Sequence, residues 1–166
     1  MPASFSERFD LPADPVQAFA VLVDPAFLAA RAVRSDALQH TSDVRTEGTA
    51  TVVTSSRTVR TTGLPAAAAK FLGDTAVIGQ VERWEEVGPD GSRDGSLTLT
   101  VEGAPVTLAA TARLRAAGAA CVYELIGTLS VRVPLLGGGV ERATLPGLLA
   151  LIRSEVDVAR QWLQRP

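Results

Sequence analysis

With 166 residues, 46% of them hydrophobic and 20% charged, the chain is expected to form one domain, residues 1–166, around a sizeable core. A formal charge of −2 excludes an electrostatic case for nucleic acid or an anionic membrane as partner, and a single cysteine, Cys121, excludes an internal disulfide framework and argues against a cysteine metal site. No apolar run reaches the ~20 residues of a membrane span, and Met1-Pro2-Ala3-Ser4 lacks a basic region followed by an apolar run, so a cytoplasmic soluble protein is expected.

Ala3 to Leu11 alternates as a short strand, with Phe5 and Phe9 on one face. Pro12-Ala13-Asp14-Pro15 turns into a helix, Asp14 serving as N-cap and Pro15 as first helical residue. That helix, Pro15–Val23, carries Val16, Phe19, Ala20 and Val23 on one side. Asp24-Pro25 repeats the signal and starts a second helix to about Val33, with Phe27, Leu28 and Arg31.

From Ala37 the period changes. Ala37–Thr46 and Thr49–Thr61, rich in Val and Thr, predict two strands about Glu47-Gly48. Gly63-Leu64-Pro65 breaks the pattern, and Ala66–Leu72 has the composition of a short helix closed by Gly73. Thr75–Val87 predicts a strand carrying Val77, Ile78, Val81 and Trp84. Pro89-Asp90-Gly91 turns the chain. Ser96–Glu102 then alternates cleanly, with Leu97, Leu99 and Val101 on one face. After Gly103-Ala104-Pro105, Val106–Arg115 places Val106, Leu108, Ala110, Ala112 and Leu114 together. A long strand follows, Ala119–Val133, with Cys121, Tyr123, Leu125, Leu129, Val131 and Val133 on one face.

The last segment, Gly137 to Pro166, predicts the one long helix. At about 100° per residue, Leu145, Leu148, Leu149, Ile152, Val156, Ala159, Trp162 and Leu163 share an arc of roughly 140°. Gly137-Gly138-Gly139 suits a strand-to-helix turn that needs unusual backbone angles. Pro146-Gly147 then delays the regular helix to Thr144, as N-cap, or kinks it there. Glu155 falls at the edge of the apolar arc. It either reaches solvent at the rim or pairs with an arginine, or it is a carboxylate in a pocket wall.

The order is therefore strand, two short helices, six strands as a meander, long helix. Short strand-to-strand links make the sheet antiparallel. The expected fold is α+β: a strongly curved seven-stranded antiparallel sheet, β-α-α-β6-α, wrapped round the C-terminal helix, with a cavity where the two do not fully meet.

Several short motifs lie in order along this frame: Phe9 with Asp14-Pro15; Asp24-Pro25 with Phe27-Leu28 and Arg31; Leu64-Pro65 with Gly73; Trp84; Gly91; and Gly103-Ala104-Pro105. Val133-Pro134-Leu135-Leu136-Gly137-Gly138, Glu141, and Glu155 with Trp162-Leu163 complete them. With them the chain resembles the START/polyketide-cyclase (SRPBCC) superfamily, the helix-grip fold, and more narrowly an uncharacterised, mainly actinobacterial branch of it. The resemblance implies a deep apolar pocket for lipids, sterols, polyketides or similar molecules, with a minority of members acting as cyclases or hydrolases. It carries no catalytic residue onto this chain.

The residues themselves offer little chemistry. One histidine, His40, one cysteine, and no His-carboxylate spacing give no metal site, and no cofactor is expected. No serine stands in a Gly-x-Ser-x-Gly elbow, and the glycine run lacks the Lys-Ser/Thr of a phosphate loop. Arg57, Arg60, Gln80, Arg83 and Tyr123 are the strand residues able to bring polarity to the inner face, Trp84 being expected inward and Arg83 outward. The expected ligand pocket is lined by Phe27, Trp84, Leu99, Leu108, Tyr123, Leu149, Ile152 and Glu155. Three functions remain open: binding of an apolar small molecule; a cyclase or dehydratase, which needs groups such as His40, Glu155 and Tyr123 to converge; and a ligand-free interaction scaffold. Ala66–Leu72, between Gly63 and Gly73, is either a lid over the pocket mouth or a helix packed on the sheet edge.

Overall fold

Two Asp-Pro steps launch the first helices, and tight turns carry the rest of the chain. A computed structural model describes residues 2–62, 64 and 66–166. The elements are β1 (Ala3–Leu11), α1 (Pro15–Leu22), α2 (Pro25–Arg34), β2 (Gln39–Glu47), β3 (Ala50–Arg60), α3 (Ala66–Ala69), β4 (Thr75–Trp84), β5 (Arg93–Val101), β6 (Val106–Ala117), β7 (Ala120–Val131) and α4 (Gly137–Leu163). The Asp14 carboxylate accepts from the Gln17 amide at 2.9 Å and Asp24 from the Ala26 amide at 2.7 Å, so both caps form as the sequence implies. The buried side of α1 meets expectation only in part, Phe19 and Val23 packing half-buried against the core. Pro15, Ala18 and Leu22 face inward, while Val16 is 57% exposed. This helix is apolar nearly all round, so periodicity does not choose its inner face.

The seven strands form one antiparallel sheet in the order β1-β7-β6-β5-β4-β3-β2. The α1–α2 pair thus carries the chain from one edge of the sheet to the other, and the meander walks back until β7 meets β1. Gly127 permits the close packing of β7 on β6. A β-carbon there would lie 2.1 Å from the Ala109 carbonyl oxygen and 2.7 Å from Ala110 Cα. On β4 the inner residues are Ala76, Ile78, Gln80, Glu82 and Trp84, and Val81 points outward at 42% exposure. Side chains alternate along a strand, so Val81 cannot join Ile78 and Trp84 on one face.

Helix α4 packs against α1, α2, β1 and β7. The Arg160 Nε donates to the Asp10 carbonyl at 3.0 Å and the Arg153 Nε to Glu7 at 3.1 Å, fastening α4 to β1. The helix runs from Gly137, so Thr144 is not its N-cap, and Pro146 sits inside it. Nor do the glycines supply the unusual backbone angle. Leu135 does, with φ of 66°. Gly137 is required for space instead, since a β-carbon there would lie 2.3 Å from the Val131 carbonyl oxygen. Glu141 locks this junction: its Oε1 accepts from the Val131 amide at 2.7 Å. Among the described residues no single helix is long and apolar enough to cross a membrane.

Candidate functional site

The inner side of β4 is unusual in being polar. Strand alternation brings Gln80 and Glu82 onto the same face as Ile78 and Trp84. Opposite them, α2 presents Arg31 one helical turn after Phe27, β3 presents Arg57, β7 presents Tyr123, and α4 presents Glu155. These residues, with Leu22, Leu97, Leu99, Leu108, Leu125, Leu148, Leu151, Ile152 and Val156, line a cavity of about 40 Å³ between α4 and the sheet.

Four charges are buried here as two pairs. Glu82 Oε1 accepts from Arg31 Nη1 and from Gln80 Nε2, each at 2.7 Å, and Glu82 Oε2 accepts from the Trp84 indole at 3.4 Å. Glu155 Oε1 accepts from Arg57 Nη1, and Glu155 Oε2 lies 3.9 Å from Arg31 Nε. Burial alone would lower the Arg31 pKa. The carboxylates of Glu82 and Glu155 reverse this and raise its pKa above the ordinary arginine value. Burial, reinforced by the Glu82 charge, pushes the Tyr123 hydroxyl well above its ordinary range, so it stays protonated. Pairing makes the burial tolerable, since an unpartnered charge would be strongly unfavourable.

A second cavity, of about 90 Å³, lies further towards the start of α4. Its walls are apolar: Val59, Ala76, Ile78, Val101, Pro105, Val106, Val131, Val140, and Leu64, Phe71 and Leu72 from the segment around α3. Leu148 lines both cavities and stands between them. Thr144 also lines the second cavity, and its buried hydroxyl has no hydrogen-bond partner among the described residues, as is true of Glu141 Oε2.

Of the residues expected at a pocket, Phe27, Leu99, Leu108, Tyr123, Ile152 and Glu155 meet at the first cavity. Trp84 and Leu149 do not line it. Trp84, 1% exposed, is wedged between Phe19 and Tyr123, at ring-centroid distances of 6.0 and 6.1 Å, and forms a wall behind the cavity. Leu149 is half-buried against the core, one step off the row Leu148, Leu151, Ile152, Glu155 that faces inward. Arg57 and Gln80 point in, whereas Arg83 points out and pairs with Glu47 and Glu85. Arg60 is exposed at the mouth of the apolar cavity. His40 is exposed on the edge strand β2 and does not line the cavity that holds Glu155 and Tyr123. Sequence reasoning passed over Glu82, although two-residue spacing from both Gln80 and Trp84 would have found it. It named Arg31 without seeing that the four-residue step from Phe27 aims both at the sheet.

Cys121 is buried, and burial, with the negative charge of Asp14, pushes its thiol up to about 11. Among the described residues no three His, Cys, Asp or Glu side chains converge to hold a metal ion. The segment Ala66–Leu72 forms a four-residue helix, Ala66–Ala69, followed by the cavity-lining Phe71 and Leu72. The hinge expected at Gly63 lies outside the described residues.

No curated protein sequence matches the chain. Solved structures do. TTHA0849 from Thermus thermophilus superimposes with a TM-score of 0.65 at 15% identity, over 96% of this chain and 96% of that one. The Zhui aromatase/cyclase from a Streptomyces species gives 0.64 at 11% identity, over 99% and 95%. A START superfamily protein from Mycobacterium smegmatis gives 0.56 at 11% identity, over 95% and 98%. At such identities the likeness establishes the fold: an α+β, START-like helix-grip domain with a seven-stranded antiparallel sheet. In sequence, residues 6–163 match one family model, and the chain belongs to that family, described as "Protein of unknown function (DUF2505)".

Proposed function

We propose that residues 1–166 act as one domain that binds a hydrophobic small molecule, of lipid or polyketide type, between α4 and the inner face of the sheet. One observation carries this: an apolar cavity and a charge-lined cavity abut at a single flexible side chain, Leu148, along the same helix. An apolar body fits the apolar cavity and a polar end the charge-lined one, with Phe27, Leu99, Leu108, Tyr123, Ile152 and Glu155 around that end. Apolar burial supplies the affinity, at roughly 25 cal/mol per Å² before association costs, and the few polar groups set orientation. At about 40 and 90 Å³ the cavities hold a few water molecules or a small fragment. A larger ligand therefore turns Leu148 aside and lifts the segment bearing Phe71 and Leu72, which acts as the lid. The aromatase/cyclase neighbour supports a small-molecule role for such a cavity. A basic set with Lys70 as its only lysine fits an origin in the mainly actinobacterial branch.

Organic extraction of protein purified from cells, followed by mass spectrometry, tests the proposal. A stoichiometric apolar compound is expected. An empty extract, together with no uptake of the neutral dye Nile red, contradicts it. A cyclase or dehydratase is the second function, favoured by the meeting of Glu155 and Tyr123 in one cavity. It has to work without His40 and with a carboxylate already engaged by Arg57.

A further inference from the structure

Charge balance decides what head group the inner cavity accepts. Its charged side chains are Arg31, Arg57, Glu82 and Glu155, with side-chain exposures of 8, 8, 5 and 10%. The formal sum is zero. A site built for a carboxylate or phosphate keeps a guanidinium fork for the ligand. Here Arg31 is engaged by Glu82 and faces Glu155, and Arg57 is engaged by Glu155 and reaches Ser35 Oγ at 3.4 Å. An incoming carboxylate would leave a net negative charge in a buried cavity beside two carboxylates. An ammonium would leave the opposite excess beside two guanidiniums. A neutral head meets neither penalty. It also has a partner: Tyr123 lines the cavity, and its hydroxyl is protonated and able to donate a hydrogen bond.

We infer that the cavity selects apolar molecules ending in a neutral oxygen, an alcohol, ketone or ester, and rejects free carboxylic acids and amines, an inference that rests on the binding function proposed above. The head hydrogen-bonds Tyr123 and lies over the Arg57–Glu155 pair, and the chain runs past Leu148 into the apolar cavity.

Displacement of Nile red at about pH 7.5, where a carboxylate is ionised, by decanol, methyl decanoate, decanoate and decylamine tests it. Decanol and methyl decanoate are expected to compete at least about tenfold more tightly than decanoate or decylamine. Glu155→Gln frees Arg57 and leaves the cluster with an excess positive charge, so it should invert the order and bind decanoate about tenfold better than the original chain does. Glu82→Gln, which frees Arg31, makes the same change from the other pair should the first variant not fold. Equal competition by all four compounds in the unaltered protein overturns the head-group selectivity while leaving binding intact, and so does a Glu→Gln variant with unchanged order. Failure of Nile red to bind at all, together with an empty extract, removes the binding function itself.

Discussion

Arg57 and Glu155 are each other's principal partner inside a cavity wall, so deleting Arg57 leaves Glu155 only its longer, 3.9 Å contact with Arg31. Arg57→Met is expected to destabilise the fold by up to about 3 kcal/mol, less than the cost of a buried charge left wholly alone because Arg31 stays close to Glu155. Arg57→Met combined with Glu155→Leu should recover most of that loss in urea denaturation. If the double variant is as weak as the single one, the pair is not the source of the effect. A pH effect follows from Cys121. Its thiol rises from an ordinary 9.0 to about 11 in the fold, so its contribution to stability is complete below pH 9 and is lost as pH climbs toward 11. The raised Tyr123 hydroxyl acts in the same direction at still higher pH. Urea midpoints are therefore expected to hold up to pH 9 and fall above it, with a shallower fall for Cys121→Ala. Much of this scale was legible in the sequence. Alternation in β6 and β7 put Leu108, Tyr123 and Leu125 on the inner face, and helical period put Ile152 there. Glu82 was hidden because apolar character, Val81 beside Trp84, outweighed parity along the strand. Glu155 could not be oriented until Arg57, 98 residues earlier in the chain, was known to face it.

At the scale of elements, order and type followed from local signals, and the departures all came from long-range contacts. The buried stripe of α1 is chosen by what it packs on. The first turns of α4 form although Gly137–Gly139 and Pro146 both disfavour helix. What holds them is tertiary: Glu141 accepts the Val131 amide left over at the end of β7, and Gly137 lets the helix approach that strand. Glu141→Ala should cost about 1–3 kcal/mol by leaving that amide unpaired, and amide hydrogen exchange at Val131 and along Gly137–Leu145 should quicken. Unchanged exchange there would mean that the start of α4 is held by something else.

For the whole molecule, the closing pair β7–β1 and the α1–α2 crossing make the sheet and α4 one unit, with the two cavities strung along the helix between them. The sequence pattern contains this frame, including the space between helix and sheet. It does not contain the division of that space, which depends on where a single leucine comes to rest. Decanol affinity in the original chain, Leu148→Ala and Leu148→Trp, each checked for native circular dichroism, is the most direct measurement. If one ligand spans both cavities across Leu148, the alanine variant should bind several-fold more tightly and the tryptophan variant at least about tenfold more weakly. Equal affinities in all three folded proteins would contradict a ligand lying along α4.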